Sequence, residues 1–312
     1  MSKQFNRREF LKTSSTAGFV ALASQLDVQG ASANDQNSML TVRSRLRSRS
    51  WLMPAHFGQP EWGQPWPDQP GELHYGDVTG ISISYLTDGE KLSSYLPHPY
   101  ELEGPPIVTV GYSMNRDITW LAGGEYNIVA VTVRATYPGE IDKVSGSYVL
   151  VMWENLTDPI LAGREFQGIP KIYGEIEDHR IFNGVWRATL SNRGRTILDI
   201  QAANLVKIEP DQLQQLNARS AQGRMLGWKY IPDETGSGPI VSYATEFPMS
   251  TRYKEAWSAT GSLKWYPQTW EENPAQAHIV NAMHSLPIKR IVSSEVAKLS
   301  NTLLVGKVRR LR

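Results

Sequence analysis

Apolar and polar positions alternate with a period of two through much of this chain. Ile81-Ser82-Ile83-Ser84-Tyr85 is the clearest case, and strict alternation signals a strand with one buried face. Near-continuous apolar runs at Ile107–Val110, Tyr126–Val133 and Ser147–Trp153 predict further strands, with Pro138-Gly139 as a hairpin loop between the last two. More strands are predicted near Gly174–Glu177, Val185–Leu190 and Thr196–Ala202, the last two joined by an Asn192-Arg193-Gly194 turn. Helix is sparse. Glu90–Leu96 reads as a brief helix, Asp211–Ala221 as a helix or lid behind Pro210, and Gly223–Gly238 as loop. Glu271-Glu272-Asn273-Pro274 predicts the start of a further helix, with Ala275, Ile279, Met283 and Leu286 as its apolar stripe. This order predicts a mainly β (α+β) fold: an antiparallel sheet closing on itself, with a few flanking helices.

The first residues follow a different pattern. Asn6-Arg7-Arg8-Glu9-Phe10-Leu11-Lys12, a mild apolar run from Ala17 to Leu26, and Ala31-Ser32-Ala33 resemble a twin-arginine export signal with its cleavage site. The run falls well short of the roughly 20 residues that span a bilayer. Residues 1–33 are therefore expected to be a signal peptide, leaving no stable membrane span after its removal and a periplasmic or secreted protein. Residues 34–74, rich in proline and tryptophan (Trp62, Trp66), predict an extended arm that packs on the domain or on a neighbouring subunit. Residues 75–312 form the remaining domain.

Composition narrows the chemistry. The 312 residues contain no cysteine and carry a formal charge of +1. This excludes disulfides and thiolate chemistry, and gives no electrostatic reason to expect nucleic acid. The six histidines show no metal-ligand spacing, and His278 and His284 fall on different faces of their predicted helix. No nucleophile elbow, phosphate loop or dinucleotide fingerprint is present, so no cofactor and no metal is expected.

One lysine stands out. Lys171 follows Pro170 and lies between Ile169 and Ile172, with Gly168 and Gly174 flanking the stretch. Lysine is seldom buried without a partner or a task. Held among apolar side chains, its ammonium form is disfavoured, and an amine whose pKa falls from ~10.4 to roughly 7–8 can form a Schiff base with a ketone. The plain alternative is a surface lysine in a strand-turn-strand.

Gly163-Arg164-Glu165 followed by Gly168-Ile169-Pro170-Lys171 resembles the signature of the acetoacetate decarboxylase family. Glu255-Ala256-Trp257, Gly261, Leu263, Leu286-Pro287-Ile288-Lys289 and Ile291-Val292-Ser293-Ser294 resemble the family's closing segment in order and spacing. The resemblance covers about residues 75–305. It implies a cone-like β-barrel with the lysine inside, and decarboxylation of a β-keto acid through an imine on Lys171. It also implies a catalytic Glu125, and a homo-oligomer acting on a small keto acid or ketone. Arg164, Glu165, Ile172 and Trp257 are the expected substrate-side residues. The chain departs from the family pattern at three places: Ile172 replaces a second lysine, Gly111 a glutamate and Val78 a substrate-binding arginine. With Ile172 there, apolar burial alone is expected to act on the Lys171 amine. The rival readings are a Schiff-base aldolase, dehydratase or hydratase on a larger carbonyl compound, and a non-catalytic barrel that holds a small ligand.

Overall fold

The computed structural model describes residues 71–312. The expected signal peptide (1–33) and most of the expected arm, with Trp62 and Trp66, lie outside the described residues. Strand β1 (Leu73–Leu86) shows how alternation becomes structure: Ile81, Ile83 and Tyr85 are wholly buried, while Ser82 and Ser84 between them are half-buried. Each such aliphatic or aromatic side chain contributes about 1.5–3 kcal/mol on burial. The short β2 (Glu101–Leu102) pairs with β4, and β3 (Ile107–Ile118), β4 (Gly124–Pro138) and β5 (Lys143–Glu154) extend the sheet in antiparallel order.

Beyond β5 come three short strands, β6 (Lys171–Tyr173), β7 (Glu175–Ile176) and β8 (Arg180–Phe182), then β9 (Val185–Asn192) and β10 (Arg195–Lys207). At the β9–β10 turn Arg193 and Gly194 have φ of 53° and 70°, the two left-handed residues that a tight hairpin of this hand requires. The remaining strands are β11 (Gly223–Pro232), β12 (Pro239–Trp265), β13 (Arg290–Leu303) and β14 (Arg309–Arg310). The 27-residue β12 pairs in succession with β11, β13 and β10. Because β11 also pairs with β5, the order β11-β5-β4-β3-β1-β13-β12 returns on itself as a closed barrel of seven strands. The β10-β9-β7 ribbon continues outward from β12. The expected antiparallel barrel is present, with two parallel pairings, β5–β6 and β5–β11.

Among the described residues four short helices accompany the strands: α1 (Gly89–Ser93), α2 (Thr157–Ala162), α3 (Pro210–Ser220) and α4 (Ala277–His284). Asp88 caps α1, its Oδ1 accepting the Lys91 amide at 2.9 Å. The α3 helix buries none of its side chains and is tied to β12 through Asn217, which bonds both backbone groups of Tyr253. Two expectations are corrected. Residues 223–232 are a strand rather than loop, because β12 supplies a pairing partner that the local sequence cannot reveal. The last helix begins at Ala277 rather than Glu271; Met283 and Leu286 of the expected stripe are buried, but Ala277 and Val280 take the places expected of Ala275 and Ile279. Asn273 is wholly buried, and its carbonyl accepts the Gln276 and Ala277 amides, which turns the chain into α4 late.

Each barrel strand presents two faces. On one, Val129, Val131 and Val133 of β4 join Tyr112, Ile81, Ile83 and the inner residues of β9, β10 and α4 in the main core. On the other lie Tyr126, Ile128 and Ala130 of β4, opposite Met152 and Glu154 of β5. The second face carries the candidate site.

Candidate active site

After β5 the chain enters α2 and then a wide π-helical turn at Gly163–Gln167, which closes on Gly168 in a left-handed conformation (φ 70°). The Gly168 carbonyl accepts the Trp228 amide at 3.0 Å, anchoring the turn on β11. Pro170 then delivers Lys171 onto β6, beside Met152 in parallel register. Arg164 donates to the Lys171 carbonyl at 3.0 Å and so fixes the backbone that carries the amine. Gly163 explains the first residue of the motif: a Cβ there would collide with Cδ and Cε of Lys171 and lie 2.8 Å from Nζ. The lysine stem packs on bare backbone.

The amine is 7% exposed and has two polar neighbours. Its Nζ lies 2.8 Å from Glu154 Oε1 and donates to the Pro159 carbonyl at 3.1 Å. Glu154 is wholly buried, and its Oε2 has no hydrogen-bond partner. Burial pushes the Glu154 carboxyl above its ordinary value, and the Lys171 ammonium pulls it back part of the way. On the same face the Tyr75 and Tyr126 hydroxyls meet at 2.8 Å, and Trp120 Nε1 donates to Tyr75 at 3.2 Å. Burial drives both phenols upward, and the charge of Glu154 adds to the rise. Apolar side chains close the surroundings: Val149, Met152 and Ile169 on one side, Val78, Ile128 and Leu156 on the other.

This arrangement corrects several expectations. The amine is not surrounded by apolar groups alone, because a carboxylate missed in the sequence is paired with it. Glu125 does not reach it. Strand alternation turns Glu125 to the opposite face from Tyr126, where it pairs with Arg116 and lines a cavity of about 470 Å³ with Asp178 and His179, a cavity that Tyr126 and Leu156 also border. Ile172 likewise points away from Lys171 and packs against the main core. Trp257 packs on that core too, under the Lys207 ammonium 5.7 Å from its ring centroid. Arg164 acts on the lysine's backbone, with its own side chain exposed, and Glu165 is half-buried in the π-helical turn. The register does place Val78 and Gly111 on the lysine's face. Glu154 could have been suspected as a lone acid ending an apolar strand. Among the described residues no group of three or more histidines or carboxylates could hold a metal ion, and no helix is long and apolar enough to cross a membrane.

Comparison with known proteins gives a consistent picture. Residues 52–311 match the family described as acetoacetate decarboxylase. Decarboxylase DEC1 of Cochliobolus heterostrophus is 27% identical over 240 residues, covering 75% of this chain and 83% of the relative. The crystal structure of acetoacetate decarboxylase from Legionella pneumophila superposes with a TM-score of 0.62 at 25% identity, covering 78% of this chain and 89% of that one. The enduracididine biosynthesis enzyme MppR, complexed with pyruvate, shares the fold with a TM-score of 0.61 at 15% identity, covering 83% and 98% of the two chains.

Proposed function

The chain belongs to the acetoacetate decarboxylase family, and from that premise we propose that Lys171 forms a Schiff base with the ketone of a β-keto acid, which then loses carbon dioxide. The observation that carries this reading is the buried Lys171 amine 2.8 Å from the wholly buried Glu154 carboxylate. Burial raises the Glu154 carboxyl and so narrows the gap between the ion pair and its neutral amine–acid form. In the neutral form the nitrogen lone pair is free to attack the ketone carbon. Glu154, now carrying the proton, returns it to the departing hydroxyl, and water leaves an iminium. The C–C bond to the substrate carboxylate breaks, its electron pair moves to the iminium nitrogen, and carbon dioxide departs from an enamine. Protonation at carbon and addition of water release the ketone and restore the amine. The balance is one keto acid and one proton in, one ketone and one carbon dioxide out. Trapping tests it: incubation with 3-oxo acids and borohydride should add mass at Lys171, with gas released when reductant is omitted. Absence of any adduct would overturn the proposal.

A second reading is favoured by Val78 and Gly111, which leave the lysine's face without the arginine and glutamate expected from the family pattern. There the enamine attacks a second carbonyl compound, or the imine assists dehydration, and adducts form without gas. The leader sequence supports export to the periplasm, which fractionation of cells expressing the full chain would test. The family resemblance supports a homo-oligomer, to be checked by light scattering.

A further inference from the structure

Cross-strand register aligns a row of residues with the amine. Lys171 sits beside Met152, Met152 beside Ala130, Ala130 beside Gly111, and Gly111 beside Ser82. All share one face, since directly paired residues project to the same side. The neighbouring positions on that face, Gly80 and Ser113, are also small. Ala130, Gly111 and Ser82 are half-buried rather than open, and a Cβ at Gly111 would meet nothing within 4 Å among the described residues. A solvated strand face ordinarily carries long polar side chains, as β12 does with Arg252 and Lys254. This row carries none. At its lysine end Oε2 of the wholly buried Glu154, unpartnered among the described residues, looks onto the same face and calls for a donor that those residues do not supply. Three strand spacings separate Lys171 from Gly111, ~14 Å of floor walled near the amine by Met152 and Ile128.

Building on the Schiff-base reading, we propose that this row is the floor of a substrate slot, and that the substrate is a keto acid bearing a long or bulky apolar substituent on the ketone. The ketone lies at Lys171 and Glu154, and the substituent runs over Ala130 and Gly111 toward Ser82. Acetoacetate, with a single methyl there, leaves the slot empty.

The test uses the full chain and a series of 3-oxo acids: acetoacetate, 3-oxooctanoate and benzoylacetate. Adducts at Lys171 and kcat/KM for gas release are measured for each. The expected result is a kcat/KM more than about tenfold higher for the longer acids than for acetoacetate. Gly111→Leu should lower that ratio by a similar factor, and Ser82→Leu on the adjacent strand should lower it for 3-oxooctanoate. Adducts with all three acids at equal kcat/KM would overturn the slot and leave the Schiff base standing. Adducts with none would overturn both. The native-chain series decides the question even where a variant fails to fold.

Discussion

Replacing Glu154 with glutamine separates what the buried pair does for the fold from what it does for chemistry. Glu154 is wholly buried, holds Lys171 at 2.8 Å through Oε1 and leaves Oε2 without a partner. Its carboxyl is raised above the ordinary value near 4.5 by burial, in spite of the ammonium beside it. The sign follows from linkage. Below about pH 4.5 the group is protonated in both folded and unfolded chains, and the native state has its full stability there. As pH rises through the raised folded value, the folded chain must ionise a buried carboxyl. Stability then falls by about 1.4 kcal/mol for each unit of displacement. Glutamine has similar volume and never ionises, so Glu154→Gln should match the native chain near pH 4 and equal or exceed it at pH 7. Exchanging both members of a buried ion pair for uncharged residues of similar volume ranges from neutral to a gain of about 1–4 kcal/mol, whereas removing one member costs about 3–5 kcal/mol where it strands a buried charge. The Lys171 ammonium loses its charge partner, which opposes this gain, but it keeps the Pro159 carbonyl at 3.1 Å. Reactivity should move the other way: without a proton acceptor, borohydride trapping of a ketone should slow by roughly 10²–10⁴-fold. Urea unfolding at several pH values, with trapping rates on the same samples, decides the matter. A loss of about 3–5 kcal/mol at pH 7, the cost of stranding a buried charge, would refute the reasoning, as would undiminished trapping.

Further outcomes follow from the same geometry. Gly163→Ala places a methyl against Cδ and Cε of Lys171; it should cost about 1–3 kcal/mol in urea unfolding, as overpacking does, and displace the amine enough to slow trapping. Glu125→Gln should leave the trapping rate unchanged within about twofold, because Glu125 faces Arg116 on the opposite side of β4. His179 stacks on Trp186 at 4.8 Å with planes 6° apart, and burial holds its imidazole below 6.5. Stability from that group is present above 6.5 and lost as pH falls through the lower folded value. His179→Phe keeps the stack, so its melting temperature should fall less than the native chain's between pH 7 and pH 5.

Alternation made the fold largely legible. Ser82 and Ser84 set between wholly buried neighbours left little doubt about β1, and Asn192-Arg193-Gly194 marked the β9–β10 hairpin. What failed depended on distant partners. Gly223 and Gly227 gave β11 the look of a loop, yet a Cβ at Gly227 would lie 2.5 Å from the Gly168 carbonyl oxygen, so that glycine admits the turn leading to Lys171. The acids at Glu271 and Glu272 mimicked a helix start, although they sit in the turn before α4. Neither signal carries information about what packs against it.

The candidate site was half legible, and parity explains which half. The motif around Lys171 is local, so sequence could point to it. The partner groups come from β4 and β5, where a shift of one residue exchanges the two faces of a strand. Glu125 is the acid that was expected, but Tyr126, its neighbour, is the residue on the lysine's face. Glu154 lies one residue past an apolar run that ends at Trp153 and reads as the edge of a turn. It is wholly buried in the fold, where β6 docks in parallel alongside β5 with Lys171 two residues out of step. The result is one carboxylate and a pair of phenols beside the amine, in place of Glu125 and otherwise apolar surroundings. Phenols held above their ordinary range stay protonated wherever the enzyme works, so they can donate to a substrate oxygen but cannot take a proton from carbon or nitrogen. On the proposed Schiff-base mechanism, proton transfer to and from the imine is therefore assigned to Glu154.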